Sequence, residues 1–376
     1  MEDQRYEIAR KLIEPLLAYY DANKRVLPWR EDPSAYKVWI SEIMLQQTRV
    51  LAVKPYFHRF IEALPSIQAL AEVEQEVLLK LWEGLGYYNR ARNLQKAAKI
   101  VVEEYDGVMP DALEQLLSLP GIGPYTAGAV ASIAYQVKTP AVDGNVLRVM
   151  SRIFEDGRDI LSQKVKKDWE QVLLATMSEK RPGDYNQALM EIGAMVCVPN
   201  GAPKCELCPF QKLCGAHAKG TWTQYPYKEP KKKRVIEERT VLVLRDAENM
   251  VLTKRPDTGL LAGLYEFPCI EGHLSSEEVL AYLKQLGLET VWISELIKAK
   301  HIFTHKEWHM IGYMVRMDEL SDVKINQAQA KWKLVEPTET KTKYPIPTAY
   351  ASYMKYLDIT VGYERFDEKG NGVDGE

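Results

Sequence analysis

The sequence predicts a mostly α-helical domain followed by a smaller α+β domain, and three observations carry that prediction. At 376 residues and 43.0 kDa the chain exceeds what one hydrophobic core ordinarily serves. From about residue 5 to about residue 218 the apolar residues recur at helical spacing, as in Ile8, Leu12, Leu16 and Tyr19, or Leu78, Leu81, Trp82 and Leu85. Beyond residue 239 short β-branched runs flanked by turn residues replace that spacing.

With 46% hydrophobic and 27% charged residues, the composition excludes wholesale disorder, collagen-like repeats and a coiled-coil rod. A formal net charge of −3 supplies no global positive field, so any nucleic-acid site must be local. The charge-free stretch 115–137 is long enough to span a bilayer, but Pro120, Gly121, Gly123, Pro124 and Gly128 make it a loop and helix. Met1-Glu2-Asp3-Gln4-Arg5 has early acids and no apolar region, so no secretory or organellar targeting, no membrane association and a cytoplasmic location are expected. Four of five cysteines fall between Cys197 and Cys214, which suits a reducing compartment and a metal site better than a disulfide framework.

Taken in order, residues 1–222 form the helical domain. A basic linker over 223–238 follows, in which Tyr225, Pro226, Tyr227 and Pro230 interrupt regular structure and Lys231, Lys232, Lys233 and Arg234 read as a solvated tether. Residues 239–360 form the α+β domain. There, 240–245 and 250–254 flank the turn residues 246–249 as a hairpin, Ser275 and Glu278 form a capping box, Gly287 ends that helix, and 310–316 reads as a strand. The tail 361–376, with Gly370, Gly372 and Gly375, is expected to be disordered.

Cys197, Cys205, Cys208 and Cys214 are separated by seven, two and five residues, close enough for four thiolates to converge on one metal centre. Spacing alone leaves tetrahedral zinc and a four-iron cluster both open. In the hairpin 117–127, Gly121 and Gly123 let backbone N–H groups approach an anion, and the following helix N-terminus adds its positive dipole end. Asp143 stands where an N-cap belongs, and the same dipole favours an ionised carboxylate able to stabilise a cation. Glu42 has apolar neighbours on its helix, where desolvation raises a carboxyl pKa and suits it to donate a proton. Two carboxylates in opposite environments are what glycosidic cleavage needs.

The hairpin 119–126, the segment Val142-Asp143-Gly144-Asn145-Val146 and the four-cysteine loop together resemble the helix-hairpin-helix DNA glycosylases of the endonuclease III superfamily. More narrowly, Leu27-Pro28-Trp29-Arg30, the segment 41–48 and the run 84–94 look like the MutY branch of that superfamily, the adenine DNA glycosylases. The resemblance extends over nearly the whole chain, including a Nudix-like carboxyl domain. It implies a [4Fe-4S] cluster on the four cysteines and a monomer acting on duplex DNA with adenine opposite 8-oxoguanine or guanine.

Carried over by resemblance, Glu42 protonates adenine, Asp143 faces the sugar cation, and Tyr125 and Asn145 support Asp143. Gln47 and Tyr87 enter the opened duplex, and Phe303, Thr304 and His305 read the lesion. Arg25, Trp29, Arg30, Leu45, Thr48, Gly121, Gly123 and Gln187 complete the expected contacts to DNA and base. Two departures stand out. The first cysteine gap has seven residues where the family pattern usually has six, and Thr304 replaces a serine. A lyase in this superfamily draws its amine from a hairpin lysine, but that position carries Tyr125, and no lysine lies between Lys99 and Lys138. A Nudix pyrophosphohydrolase, suggested by 259–268, needs several glutamates on one helix for magnesium, whereas Glu277 and Glu278 stand without such partners.

Overall fold

The computed structural model of the chain describes residues 2–230, 233–329, 331–357, 365–366 and 372–373. The chain divides into two units, Met1–Val73 with Arg92–Lys231, and Glu74–Ala91 with Lys232–Glu376.

In the first unit, Ser34 caps helix Ala35–Leu45 by accepting the Lys37 N–H, and most of that helix is buried, Glu42 included. Helix Pro124–Tyr135 starts with proline at its first turn, where the missing N–H costs nothing, and is buried over Thr126 to Ile133. It packs against both Ala35–Leu45 and Pro182–Glu191. The second contact requires Gly183, because a Cβ there would stand 2.6 Å from the Ser132 carbonyl oxygen. Asn186, one turn on, donates to Ser132 Oγ and the Thr139 carbonyl (2.8 Å each) and accepts the Ala141 N–H at 3.0 Å. Each buried partner left unpaired would cost ~1–3 kcal/mol, so this amide fixes the segment that leads into Asp143. Beneath helix Gly144–Phe154 lies a core of Leu12, Leu16, Val146, Met150, Trp169, Tyr185 and Phe210.

The expected linker is shorter than 223–238 at both ends. Arg152 Nε donates to the Tyr225 carbonyl at 3.0 Å and the Ile160 N–H to the Tyr227 carbonyl at 3.2 Å, so this stretch is pinned to the first unit. At the other end, Val235 already pairs with Lys306 in a strand. Lys231 and Lys232 lie outside the described residues.

The second unit is built on a seven-stranded sheet of β1 (Val235–Arg245), β2 (Met250–Lys254), β3 (Tyr265–Glu266), β4 (Cys269–Glu271), β5 (Thr290–Ile302), β6 (Lys306–Met317) and β7 (Trp332–Val335). Its main path runs β3-β2-β1-β6-β5, with β4 paired to β1 and β7 to β2. The β1–β6 pair is parallel and the other pairs are antiparallel. Because side chains alternate along a strand, β1 sends Val241 and Val243 to one core with Trp308, Tyr350 and Tyr353, and Leu242 and Leu244 to another. The second core is closed by Val279 and Leu283 of helix Ser276–Gln285, whose Ser275–Glu278 capping box forms. Glu278 is therefore occupied in the cap. At the β1–β2 turn, Asp246 Oδ1 accepts the N–H groups of Glu248 and Asn249.

Residues 74–91, expected within the helical domain, group with the second unit. Glu76 accepts from Lys254 and Tyr265, Lys80 donates to the Thr340 carbonyl, and Glu83 accepts the Ile346 N–H. Long-range polar ties of this kind leave no trace in apolar spacing. Most of the tail 361–376 lies outside the described residues, apart from a short pair between Arg365–Phe366 and Gly372–Val373. Among the described residues, no helix is long and apolar enough to cross a membrane.

Candidate active site

The first unit holds a solvent-open cleft of about 930 Å³. Glu42, Asp143, Tyr125 and Asn145 line it together with Arg25, Trp29, Arg30, Leu45, Gln47, Thr48 and Gln187. Three helices converge there. Ala35–Leu45 delivers Glu42, Pro124–Tyr135 delivers Tyr125 from its first turn, and Gly144–Phe154 begins at Asp143.

The Glu42 carboxyl is buried, and that burial pushes its pKa up to about 7, with the nearby Asp143 charge adding to the rise. A hydrogen bond from Tyr125 and the Arg30 charge act in the opposite direction without cancelling it. The Tyr125 hydroxyl donates to Glu42 Oε2 at 2.5 Å and lies 3.6 Å from Met190 Sδ. The expected support of Asp143 by Tyr125 is thus replaced by a bond to the other carboxylate. Tyr125 opens helix Pro124–Tyr135, which packs against Ala35–Leu45, the helix that carries Glu42.

Asp143 does cap its helix. Its Oδ1 accepts the N–H groups of Asn145 (2.9 Å) and Val146 (2.8 Å), and Oδ2 accepts the Asn145 side-chain amide at 2.6 Å. Those three donors favour the charged form, yet burial outweighs them and raises the pKa above its ordinary value. The helix terminus alone therefore does not hold this group low. Asn145 is steadied in turn by Arg148, which donates to its Oδ1 at 3.0 Å and to the Gly193 and Cys197 carbonyls.

One residue of the cleft was not legible beforehand. Glu191, 1% exposed, receives Arg25 Nε at 2.8 Å and Arg30 Nη2 at 2.8 Å. The two arginines expected to touch DNA are held by one buried carboxylate. A charged residue among the apolar positions of helix Pro182–Glu191 is the sole sequence signal of it.

Outside the cleft, Gly121 has φ +81 and a Cβ there would stand 2.7 Å from Asn93 Cβ, so this turn requires glycine. Gly123 caps Pro124–Tyr135 in extended conformation and is exposed, leaving the hairpin backbone open to an anion. Gln47 and Tyr87 are both exposed and both hold positive φ, 57° and 49°. Such strain costs non-glycine residues ~1–2 kcal/mol and concentrates at functional positions. In the second unit the turn between β5 and β6 anchors Phe303 between His301 and Trp308, with ring centroids 4.6 and 4.8 Å away, and leaves Thr304 and His305 exposed.

Cys197, Cys205, Cys208 and Cys214 line one common cavity. The seven-residue gap is closed by the Lys204 N–H donating to the Val196 carbonyl at 3.0 Å, so the additional residue is absorbed in the loop. Arg152 Nη1 donates to Cys197 Sγ at 3.2 Å, placing a cation beside that sulfur. Burial pushes the Cys208 thiol up to about 12 and raises Cys205 and Cys214, so as bare thiols they hold their protons at neutral pH. Among the described residues, no three His, Cys, Asp or Glu side chains meet closely enough to hold a single metal ion. Four cysteine sulfurs on one cavity are a donor set that fits an iron–sulfur cluster.

Residues 40–173 match the family described as HhH-GPD superfamily base excision DNA repair protein, and residues 240–356 match the NUDIX domain. Adenine DNA glycosylase of Buchnera aphidicola subsp. Acyrthosiphon pisum is 32% identical over 340 residues, covering 90% of this chain and 96% of that protein. Adenine DNA glycosylase of Mus musculus is 36% identical over 362 residues, covering 81% of this chain and 70% of that protein. Among solved structures, a thermostable thymine-DNA glycosylase matches with TM-score 0.51 and 28% identity, over 57% of this chain and 98% of its own. On this likeness over most of its length, the chain belongs to the adenine DNA glycosylase family, DNA N-glycosylases of the hydrolase class with a helix-hairpin-helix domain and a NUDIX domain.

Proposed function

We propose that the chain takes adenine out of duplex DNA where it is paired with 8-oxoguanine or guanine, and hydrolyses its N-glycosidic bond without a lyase step. The observation that carries this reading is the pair of carboxylates on one cleft in unlike settings. Glu42 has a pKa near 7 and so is partly protonated at neutral pH, as a general acid must be. Asp143, its pKa also raised by burial, differs in accepting three hydrogen bonds that favour its charged form.

Glu42 protonates the departing adenine, which weakens the bond to C1′ and builds oxocarbenium character on the sugar. Tyr125 steadies the carboxylate that remains once the proton has left. Asp143 stabilises the sugar cation, or bonds to it transiently before water attacks, in the retaining manner. Arg25 and Arg30, held by Glu191, line the cleft wall that receives the base. Tyr125 has no amine, so the product is an intact abasic site. Gln47 and Tyr87 fill the space left in the opened duplex, and Thr304 and His305 with Phe303 read the oxidised partner base.

Cys197, Cys205, Cys208 and Cys214 would hold a [4Fe-4S] cluster, supported by the shared cavity they line. Bound there, it supplies four iron–thiolate cross-links and a redox-active centre, while adenine release proceeds on the chain's own side chains. The test is single-turnover base release from duplexes with adenine opposite 8-oxoguanine, guanine and thymine. Release fastest opposite 8-oxoguanine, slower opposite guanine, with strand breakage only after alkali, is expected. Equal rates on all three, or nicking that keeps pace with release, would overturn the reading.

A further inference from the structure

We infer that the second unit sets the conformation of the turn bearing Tyr87, and that Lys80 and Glu83 are the positioning residues through which it does so. The functional side of this inference rests on the proposal that Tyr87 enters the duplex.

Residues 74–91 fold with the second unit although the chain on both sides of them belongs to the first. Glu83 Oε1 accepts the N–H of the buried residue Ile346 at 2.8 Å, a charge-assisted bond. Lys80 Nζ donates to the carbonyl of the buried residue Thr340 at 2.7 Å and pairs with Glu83 Oε2. The side chains of Lys80 and Glu83 are only 17% and 26% exposed, so water competes poorly for these bonds. The Glu76 contacts to Lys254 at 2.8 Å and Tyr265 at 2.9 Å add a second tie. Tyr265 belongs to the motif 259–268 that pointed to Nudix chemistry. Here its hydroxyl holds a helix that precedes the Tyr87 turn.

From Glu83 the chain enters the turn directly. Gly84, Gly86 and Tyr87 have φ of 97°, 71° and 49°. Trp82 Nε1 donates to the Gly86 carbonyl at 3.1 Å, and Arg90 Nη2 donates to the Leu85 and Gly86 carbonyls at 2.9 and 3.0 Å. The Arg90 guanidinium stands over both the Trp82 and Tyr87 rings, at 5.3 and 5.6 Å. A non-glycine residue at positive φ persists only where its surroundings over-determine it. The ties at Lys80 and Glu83 hold one end of this turn, so the unit expected to read the lesion also fixes the residue expected to enter beside it.

The experiment is hydrogen–deuterium exchange on the full chain, comparing wild type with Lys80→Ala/Glu83→Ala and with Glu83→Gln, which keeps an acceptor for the Ile346 N–H. Exchange over 84–90 should rise ~tenfold in the double variant, rise less in Glu83→Gln, and stay unchanged in helix Ala35–Leu45. Unchanged exchange over 84–90, with the sheet equally protected, overturns the inference. So does a uniform rise over the whole second unit, which marks general destabilisation. Separately, the ratio of adenine release opposite 8-oxoguanine to that opposite guanine is measured for the double variant, for Tyr87→Ala and for the triple variant. Loss of the ratio to the same extent in all three supports positioning through Tyr87, and additive losses overturn it. If Tyr87→Ala leaves the ratio intact, the duplex role of Tyr87 falls, while the exchange result still decides whether the second unit holds the turn.

Discussion

The Tyr125 hydroxyl donates to Glu42 Oε2 at 2.5 Å, so it is bound to the carboxylate proposed as the acid and not to Asp143, proposed as the cation stabiliser. That bond lowers the Glu42 pKa, against burial that raises it. Tyr125→Phe removes the lowering contribution. In the proposed mechanism Glu42 works in its protonated form, so activity should fall as pH rises through its pKa. The alkaline limb of the single-turnover rate profile should therefore move to higher pH in Tyr125→Phe. A limb that stays put or moves down would show that the hydroxyl does not tune this acid.

Burial of Glu42 also makes stability depend on pH. Its folded pKa, about 7, lies above the ordinary 4.5, so the group's contribution is fully present below about 4.5 and is lost as pH rises through about 7. Glu42→Gln keeps the shape and never ionises. Relative to wild type, it should gain up to ~3 kcal/mol in stability at pH 8 and little at pH 4.5. Thermal melts at the two pH values check this, and an equal difference at both would contradict a buried, raised carboxyl.

Glu191 is expected to act by holding Arg25 and Arg30. Glu191→Ala leaves two partly buried cations unpaired, costing ~2–3 kcal/mol, below the full penalty because both arginines retain some water. Adenine release should slow by ~tenfold or more as the arginines lose their orientation, with Glu191→Gln intermediate. Wild-type release by Glu191→Ala would remove Glu191 from the site.

Purified protein should carry about four iron and four sulfide per chain with a broad visible absorption, and Cys205→Ser should lose both. Stoichiometric zinc after anaerobic purification, or an unchanged spectrum in the variant, would refute the cluster.

How far the sequence reveals this molecule follows from the range of the interactions. Glu42 stands out because a charge interrupts an apolar helix face, and Asp143 because a cap must precede a helix that its neighbours define. The β1–β2 hairpin and the Ser275–Glu278 box are likewise local. Glu191 pairs with Arg25 across 166 positions, Glu83 meets Ile346 across 263, and β1 lies parallel to the distant β6. None of these has a period or a spacing to read. The partner of Tyr125 depends on how two helices face one another, which spacing along either helix leaves open.

The most direct test of the two-carboxylate site is single-turnover adenine release by Glu42→Gln and Asp143→Asn, with duplex affinity measured alongside. Both substitutions preserve side-chain size, so binding should stay near wild type while release falls by at least ~10³ in each, because acid and cation stabiliser act on the transition state. Release within ~tenfold of wild type by either variant would contradict the assignment of chemistry to that carboxylate.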